Sequence, residues 1–444
     1  MILHTKSQED LKNILDELRA KGADNCTEEE FKVAAFFAAA MDEDAVEKAG
    51  TAPLEPVLKV IQESVTACKE QNKSVLAKLL GTMALEYGIG LFMGIGVSPD
   101  NSNTDHSIVQ VSQGGLGLPD RDYYFDAEKE SQREAYRKTV ALMLTLLQDP
   151  TATEPTADMT TAAVKVYELE KSLAEAHMTK TENRDPHATY NKMSIADFVK
   201  SSGDGSFDFA SYLEAATTKS APDLGDINIR NVEALKKVAH VISTVEPQTL
   251  EYYMKWHTVR SCASYMSKAF VDASFDFYEK TLEGTQEIKP RWKRAMTFTE
   301  NALGEALGKL YCAKYFDESA KERALGVVEQ VRIALEARLK EVEWMTADAT
   351  REEALKKMNK FGVKIGYPDK WLDYTTLKVD SNMSFLEMVF GARKFDSLQD
   401  VKEMNAPTDR LKWVRFCRCM IFVIFDYFSS IPHVSIVYLF LTSS

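Results

Sequence analysis

The sequence predicts a mainly α-helical protein, multi-helical with one short β-ribbon. Apolar residues recur at three- and four-residue spacing through most of the 444 positions, the spacing that lines one face of an α-helix. That period gives way to alternation only between Leu91 and Ser112. A bend with three glycines and a proline in six positions (Gly114, Gly115, Gly117, Pro119) follows at once and leads back into helix.

The elements follow in order. Leu11, Ile14, Leu15 and Leu18 fall at i, i+3, i+4 and i+7 before Gly22, an amphipathic helix with a glycine stop. Thr27-Glu28-Glu29-Glu30 reads as a capping box opening the helix FKVAAFFAAAMDED. Pro53 to Pro56 starts a helix with Leu54, Leu58 and Ile61 on one side, and Ser74 to Tyr87 is helical again. Leu91 to Val97 and Ser107 to Ser112 read as strands joined by a polar loop, SPDNSNTDH.

In the bend GGLGLPDRDYYF (Gly114 to Phe125), glycine permits positive φ and proline pushes Leu118 toward an extended conformation. Arg121 stands between Asp120 and Asp122, so one guanidinium is expected to bridge two carboxylates. Turn chemistry alone makes the stretch a structural connection. Helices are expected around Tyr136 to Leu147, Val166 to Ala176, from Ile195, and from Glu233 to Ser243. Thr181 to Ser194 is expected to be a structured loop with Ser194 as a helix cap. Tyr252, Tyr253, Trp256 and Tyr265 read as core aromatics. A dense region runs from Arg291 to Phe316, and Val328, Val331, Leu335, Leu339 and Val342 trace a long helix. Thr350 to Glu353 reads as a second capping box, before a strand-like exit at Val363 to Pro368.

Bulk numbers exclude some roles. A net charge of −13 and a pI near 5.2 argue against nucleic-acid binding, which needs basic surface. The six cysteines form no CxxC pair and no regular framework, so neither a zinc ribbon nor a disulfide scaffold is indicated. The first residues lack the basic and apolar regions of a signal peptide, and a cytoplasmic, reducing setting is expected. The glycines at 88, 90 and 94 precede a strand and have the wrong spacing for a dinucleotide fingerprint, and GEALGKL at Gly304 to Leu310 misses a phosphate loop.

From Val414 the composition turns apolar on every face, with Asp426, Pro432 and His433 in the middle. A membrane helix needs about 20 uninterrupted apolar residues, and a central carboxylate and proline oppose one. A membrane role is therefore not expected. The abrupt change after Trp413 is read instead as translated intron or a misdrawn gene boundary.

Several stretches, in order, resemble the neprilysin and endothelin-converting-enzyme family of zinc metallopeptidases. They are AMDEDAVEKAGTAPL (Ala40 to Leu54), GGLGLPDRDYYF, LEKSLA (Leu169 to Ala174), ENRDPHATYNKMS (Glu182 to Ser194), RWKRA with NALGEALGKLYCAKYF, EWMTADATREEALKKM and KIGYPDKW (Lys364 to Trp371). The resemblance implies that residues 1–413 are the family's N-terminal helical region, open to division into two sub-lobes, with 414–444 a tail outside the pattern. It implies a cap over an enclosed chamber, oligopeptide substrates and zinc in the intact family. A missing catalytic lobe would be the natural packing partner, and without it the chain is expected to be poorly soluble. Alanines such as Ala40 and Ala295 stand where the family often has cysteines.

Such peptidases bind zinc through HExxH on a helix, two imidazoles one turn apart with the glutamate as base. The histidines here are His4, His106, His177, His187, His240, His257 and His433; no two are four apart. No catalytic, cofactor-binding or metal-ligating residue is therefore assigned, and no cofactor is expected in this chain. Glu170, Glu175 and His177, or Asp185 with His187, are only two-ligand fragments of a kind common by chance. Nor is there a serine nucleophile elbow or a catalytic-cysteine context. The function expected is the N-terminal part of a neprilysin-family zinc metalloendopeptidase, inactive as this chain. The alternative is a non-catalytic helical protein that binds peptides or a partner; a tail-anchored membrane protein is a third reading.

Overall fold

The computed structural model describes residues 2–22, 25–201, 205–413 and 424–426. Among them are α1 (Ile2–Lys21), α2 (Glu28–Met41), α3 (Glu43–Ala49), α4 (Glu55–Lys69), α5 (Lys73–Tyr87), β1 (Met93–Asp100) and β2 (Asn103–Gln113). Next come α6 (Asp122–Phe125), α7 (Glu130–Leu146), α8 (Ala157–Ala174), β3 (Lys192–Ser194), α9 (Ile195–Ser201), α10 (Phe209–Thr217), α11 (Ala221–Leu224) and β4 (Asp226–Ile229). The remainder are α12 (Val232–Thr244), α13 (Pro247–Cys262), α14 (Lys268–Ser274), α15 (Arg291–Tyr315), α16 (Glu318–Glu341), α17 (Asp348–Asn359), β5 (Gly362–Lys364), α18 (Phe385–Glu403) and β6 (Ile424–Asp426). The mainly helical expectation holds. Of the tail, only β6 falls among the described residues; the expectations for the rest of it lie outside them. None of the described helices is long and apolar enough to cross a membrane.

The chain divides into two compact units. The first comprises residues 1–38, 291–376 and 409–444. In it α1 buries Leu11, Ile14, Leu15 and Leu18 and ends at Gly22 with φ +77°. The expected capping box is present: Glu30 N donates to Thr27 Oγ1 at 3.3 Å and Thr27 N to the Glu30 carboxylate at 2.8 Å. A small core joins Phe316, Ala324, Val328 and Ile365.

The long helix expected through Val328 to Val342 is present as α16, with Val342 as its C-cap, whereas one expectation, the second capping box, fails. Of the apolar stripe on α16, Val328 is buried, but Val331 and Leu335 are 40% and 39% exposed. Periodicity marks which face is apolar, not whether anything covers it. The second capping box is absent, because α17 is already helical from Asp348 with Ala347 as its cap. Thr350 lies inside the first turn, where Asp348 supplies the negative charge favoured at a helix N-terminus.

The second unit comprises residues 39–290 and 377–408. The buried side of α4 is Val57, Ile61, Ser64 and Val65, with Leu58 only half-buried. Leu54 belongs to a 3₁₀ turn before the helix, so it cannot set the helical phase. The ribbon is longer than expected. β1 and β2 pair with Ile95 opposite Val111 and Val97 opposite Val109, and most of the polar segment expected as loop is strand. Asp100 explains this: its nearly buried carboxylate accepts from Ser102 N at 2.9 Å, Tyr190 Oη at 2.6 Å and Lys192 Nζ at 2.8 Å. Burial would raise its pKa, but these bonds outweigh it and hold the carboxyl at about 2.

The sheet order is β1-β2-β4-β3, with β2 and β4 parallel. Neither β4 nor α10 is evident in the sequence. The four residues of β4 are too few to show a period, and the pairing with β2 spans more than a hundred residues. Helix α10 packs against α5 so closely that a Cβ on Gly81 would lie 2.4 Å from the Tyr212 carbonyl.

Candidate functional site

The glycine-rich bend after β2 is fastened to a buried carboxylate, Glu170 of α8, which is 0% exposed. Tyr124 Oη donates to Glu170 Oε2 at 2.8 Å. From α7, Tyr136 Oη lies 2.8 and 2.6 Å from the two carboxylate oxygens. From α13, Trp256 Nε1 donates to Tyr136 Oη at 2.9 Å and to Glu170 Oε1 at 3.2 Å, and His257 Nε2 lies 2.9 Å from the same oxygen. Tyr124 Oη in turn accepts the backbone N–H groups of Gly117 and Leu118, both at 3.2 Å. The carboxylate thus holds the bend through one tyrosine.

The bend is held from other sides as well. Tyr253 Oη lies 2.7 Å from the Leu91 carbonyl and 3.1 Å from that of Gly115. Tyr278 Oη donates to the Gly117 carbonyl at 2.9 Å and accepts from Arg260 Nε at 2.8 Å. A π-helical turn at Phe275–Thr281 supplies Tyr278. Gly115 has φ +88°, and a Cβ on Gly117 would overlap Tyr136, so both glycines are required by geometry.

Electrostatically the cluster is closed. Burial, then the charge of Glu170, raises the pKa of Tyr124 and Tyr136 far above the usual phenol range, so both remain donors. Burial pushes Tyr278 up to about 12 and lowers His257, against the opposing bond to Glu170. With no exposed oxygen and four donors around it, Glu170 organises the fold and offers no base to solvent.

The residues singled out from the sequence do not converge. Glu175 is exposed and pairs with Lys237 at 2.8 Å. His177 is buried beside the bend: burial lowers its pKa to about 4, opposed by a hydrogen bond to the Gly114 backbone. His187 is exposed, and the Asp185 carboxylate accepts the His187 backbone N–H at 2.8 Å, a turn bond rather than a paired ligand. Arg121 does not bridge its neighbours. Asp120 pairs with Lys180 at 2.8 Å, and the Arg121 guanidinium lies 5.5 Å from the Phe125 ring centroid. Among the described residues no group of three or more His, Cys, Asp or Glu could hold a metal ion, so these residues do not fit a zinc site. An open groove of about 340 Å³ between α8, α12 and the start of α13 includes Lys165 and Lys237, both already in ion pairs.

Sequence reasoning placed Trp256 in the core but missed the polar role of His257, Arg260 and Tyr278. The available signal was a histidine and an arginine on the otherwise apolar side of an aromatic helix.

Comparison with known proteins settles the lineage. Residues 1–368 match the N-terminal model of peptidase family M13. The chain belongs to peptidase family M13. Among M13 relatives, human membrane metallo-endopeptidase-like 1 is 25% identical over 402 residues, covering 86% of this chain and 51% of the relative. Bovine endothelin-converting enzyme 1 is 28% identical over 367 residues, covering 81% and 47%. The zinc metalloprotease Zmp1 of Mycobacterium tuberculosis in its open state superposes with a TM-score of 0.82 at 28% identity, covering 92% of this chain and 61% of that one. The chain spans about half the length of the curated M13 relatives it matches.

Proposed function

We propose that this chain is the N-terminal helical part of an M13 zinc metalloendopeptidase acting on oligopeptides, and that it does not hydrolyse peptides by itself. The observation that carries this reading is the match to the family's N-terminal model over residues 1–368 in a sequence without HExxH. Among the described residues no cluster could hold a metal ion, so on this reading the ligands and the base for hydrolysis come from another M13 segment.

The half-covered face of α16 supports the same reading. Val327, Val331 and Leu335, at 40%, 40% and 39% exposure, form an apolar strip suited to a further packing partner. A second M13 segment bearing the zinc site is the partner the family relationship suggests. Within this chain, the part played by the Glu170 cluster is to fix the helical framework.

The test is metal analysis and peptide turnover on the purified chain, alone and co-expressed with any segment encoded downstream. No stoichiometric zinc and no cleavage alone, with both restored by such a segment, is the expected result. One zinc per chain with chelator-sensitive cleavage by the 444-residue chain alone would overturn the reading.

A further inference from the structure

Arg133 and Arg393 of the second unit spend both terminal nitrogens on protein oxygens. Arg133 Nη1 donates to the Tyr123 and Asp126 carbonyls at 3.0 and 2.6 Å, and Nη2 to Glu130 Oε2 at 2.7 Å. Arg393 Nη1 donates to the Tyr87 carbonyl at 3.2 Å and to Ser261 Oγ at 3.0 Å, and Nη2 to the Ser261 carbonyl at 2.8 Å. Arg260 of α13, half-buried like Arg393, differs. Its Nε donates to Tyr278 Oη at 2.8 Å, and its guanidinium carbon lies 5.4 Å from the Tyr278 ring centroid. Among the described residues no oxygen accepts from Nη1 or Nη2 and no carboxylate pairs with them; the buried Glu170 has His257 as its ion-pair partner. Neither terminal nitrogen is one of the sealed polar atoms left without a bond, so both reach open space.

A guanidinium drawn partly out of water without a counter-charge is costly, and an anion offsets that cost. Two coplanar terminal nitrogens match two oxygens of a carboxylate or a phosphate. The remaining nitrogen is committed inward: Nε holds Tyr278, whose hydroxyl donates to the Gly117 carbonyl at 2.9 Å. The fork is thus fixed at its base by the glycine-rich bend and open at its tip.

We propose that Arg260 is an oxyanion-binding residue, whose Nη1 and Nη2 take two oxygens of a carboxylate or phosphate group. The bound anion fixes the plane of the guanidinium and, through Nε and Tyr278, steadies the Gly117 carbonyl of the bend. The proposal rests on the bonding of Arg260 and not on the M13 reading.

The test is thermal unfolding of the full chain titrated with sodium phosphate or sodium acetate, with sodium chloride keeping the ionic strength constant. A saturable rise in Tm is expected, about 2 °C at tenfold excess over Kd for a unit of this size. Arg260→Gln should abolish the rise, and Arg260→Lys, which keeps the charge but loses the fork, should leave only part of it. A rise with phosphate alone assigns a phosphate group, a rise with acetate alone a carboxylate, and both outcomes support the site. No saturable rise with either anion, or an equal rise in Arg260→Gln, overturns it and leaves the two nitrogens to water. If Arg260→Gln does not fold, the wild-type chain decides through phenylglyoxal modification mapped by mass spectrometry. The anion should slow modification of Arg260 about tenfold at that excess and leave the exposed Arg338 unchanged, whereas an unprotected Arg260 overturns the proposal. None of these outcomes touches zinc content or hydrolysis.

Discussion

Gly117 lies so close to Tyr136 that a Cβ on it would sit 1.8 Å from the tyrosine hydroxyl. The same hydroxyl is bonded to Glu170 and Trp256, so it cannot swing aside without breaking the cluster that holds the bend. Gly117→Ala is therefore expected to destabilise the chain by about 1–3 kcal/mol, the usual range for overpacking. Denaturant unfolding of the variant checks this; an unchanged midpoint would show that the bend shifts freely.

Glu170→Leu should cost more. It leaves Tyr124, Tyr136, Trp256 and His257 facing an apolar side chain, and breaking a buried polar network of this kind costs about 3–5 kcal/mol. Glu170→Gln keeps one acceptor and should fall between the variant and the wild type. Near-UV circular dichroism of Trp256 and equilibrium unfolding measure both effects, and a loss below about 1 kcal/mol for Glu170→Leu would deny the cluster its structural role.

Acid should weaken the fold in two stages. His177 is held neutral, its pKa lowered to about 4 from an unfolded value of 6.5. Below pH 6.5 the unfolded chain binds the extra proton, so stability falls as pH drops from 6.5 to about 4, by about 3 kcal/mol at most. His257, also lowered, acts in the same direction. Asp100 has a folded pKa of about 2 against 3.8, so its contribution, present above pH 3.8, is lost between there and pH 2. His177→Gln should shrink the upper stage to the part due to His257 and leave the lower one; unfolding free energies measured from pH 7 to 2 decide it.

On α16 the two sides of the apolar stripe should respond differently. Val328→Asp puts a charge into the core of Phe316, Ala324 and Ile365 and should cost several kcal/mol, as buried unpaired charges do. Val331→Asp, at an exposed position, should change the stability of this chain by less than about 0.5 kcal/mol. If the exposed strip is a packing surface, the same change should weaken association with a complementing M13 segment in a pull-down. Equal destabilisation by both variants would show Val331 to be core.

The sequence by itself determined the helical class, most helix positions and the strand-to-helix bend, because these depend on local spacing, caps and glycines. Leu11 to Leu18 and the Thr27–Glu30 box needed only their neighbours to be read. It also fixed the family through motifs in order, and the absence of HExxH within these 444 residues. What only the tertiary structure decided is what the apolar and polar faces meet. The short β4 pairs in parallel with β2, Asp100 turns an apparent loop into strand, and Arg121 leaves Asp120 to Lys180. Glu170, read from the sequence with Glu175 and His177 only as a chance ligand fragment, became the buried anchor of the bend because α7, α13 and Tyr124 close around it. Those partners lie 34 to 87 residues away along the chain. The free energy of burying a carboxylate depends on donors brought together by folding, and no local pattern records which donors will arrive.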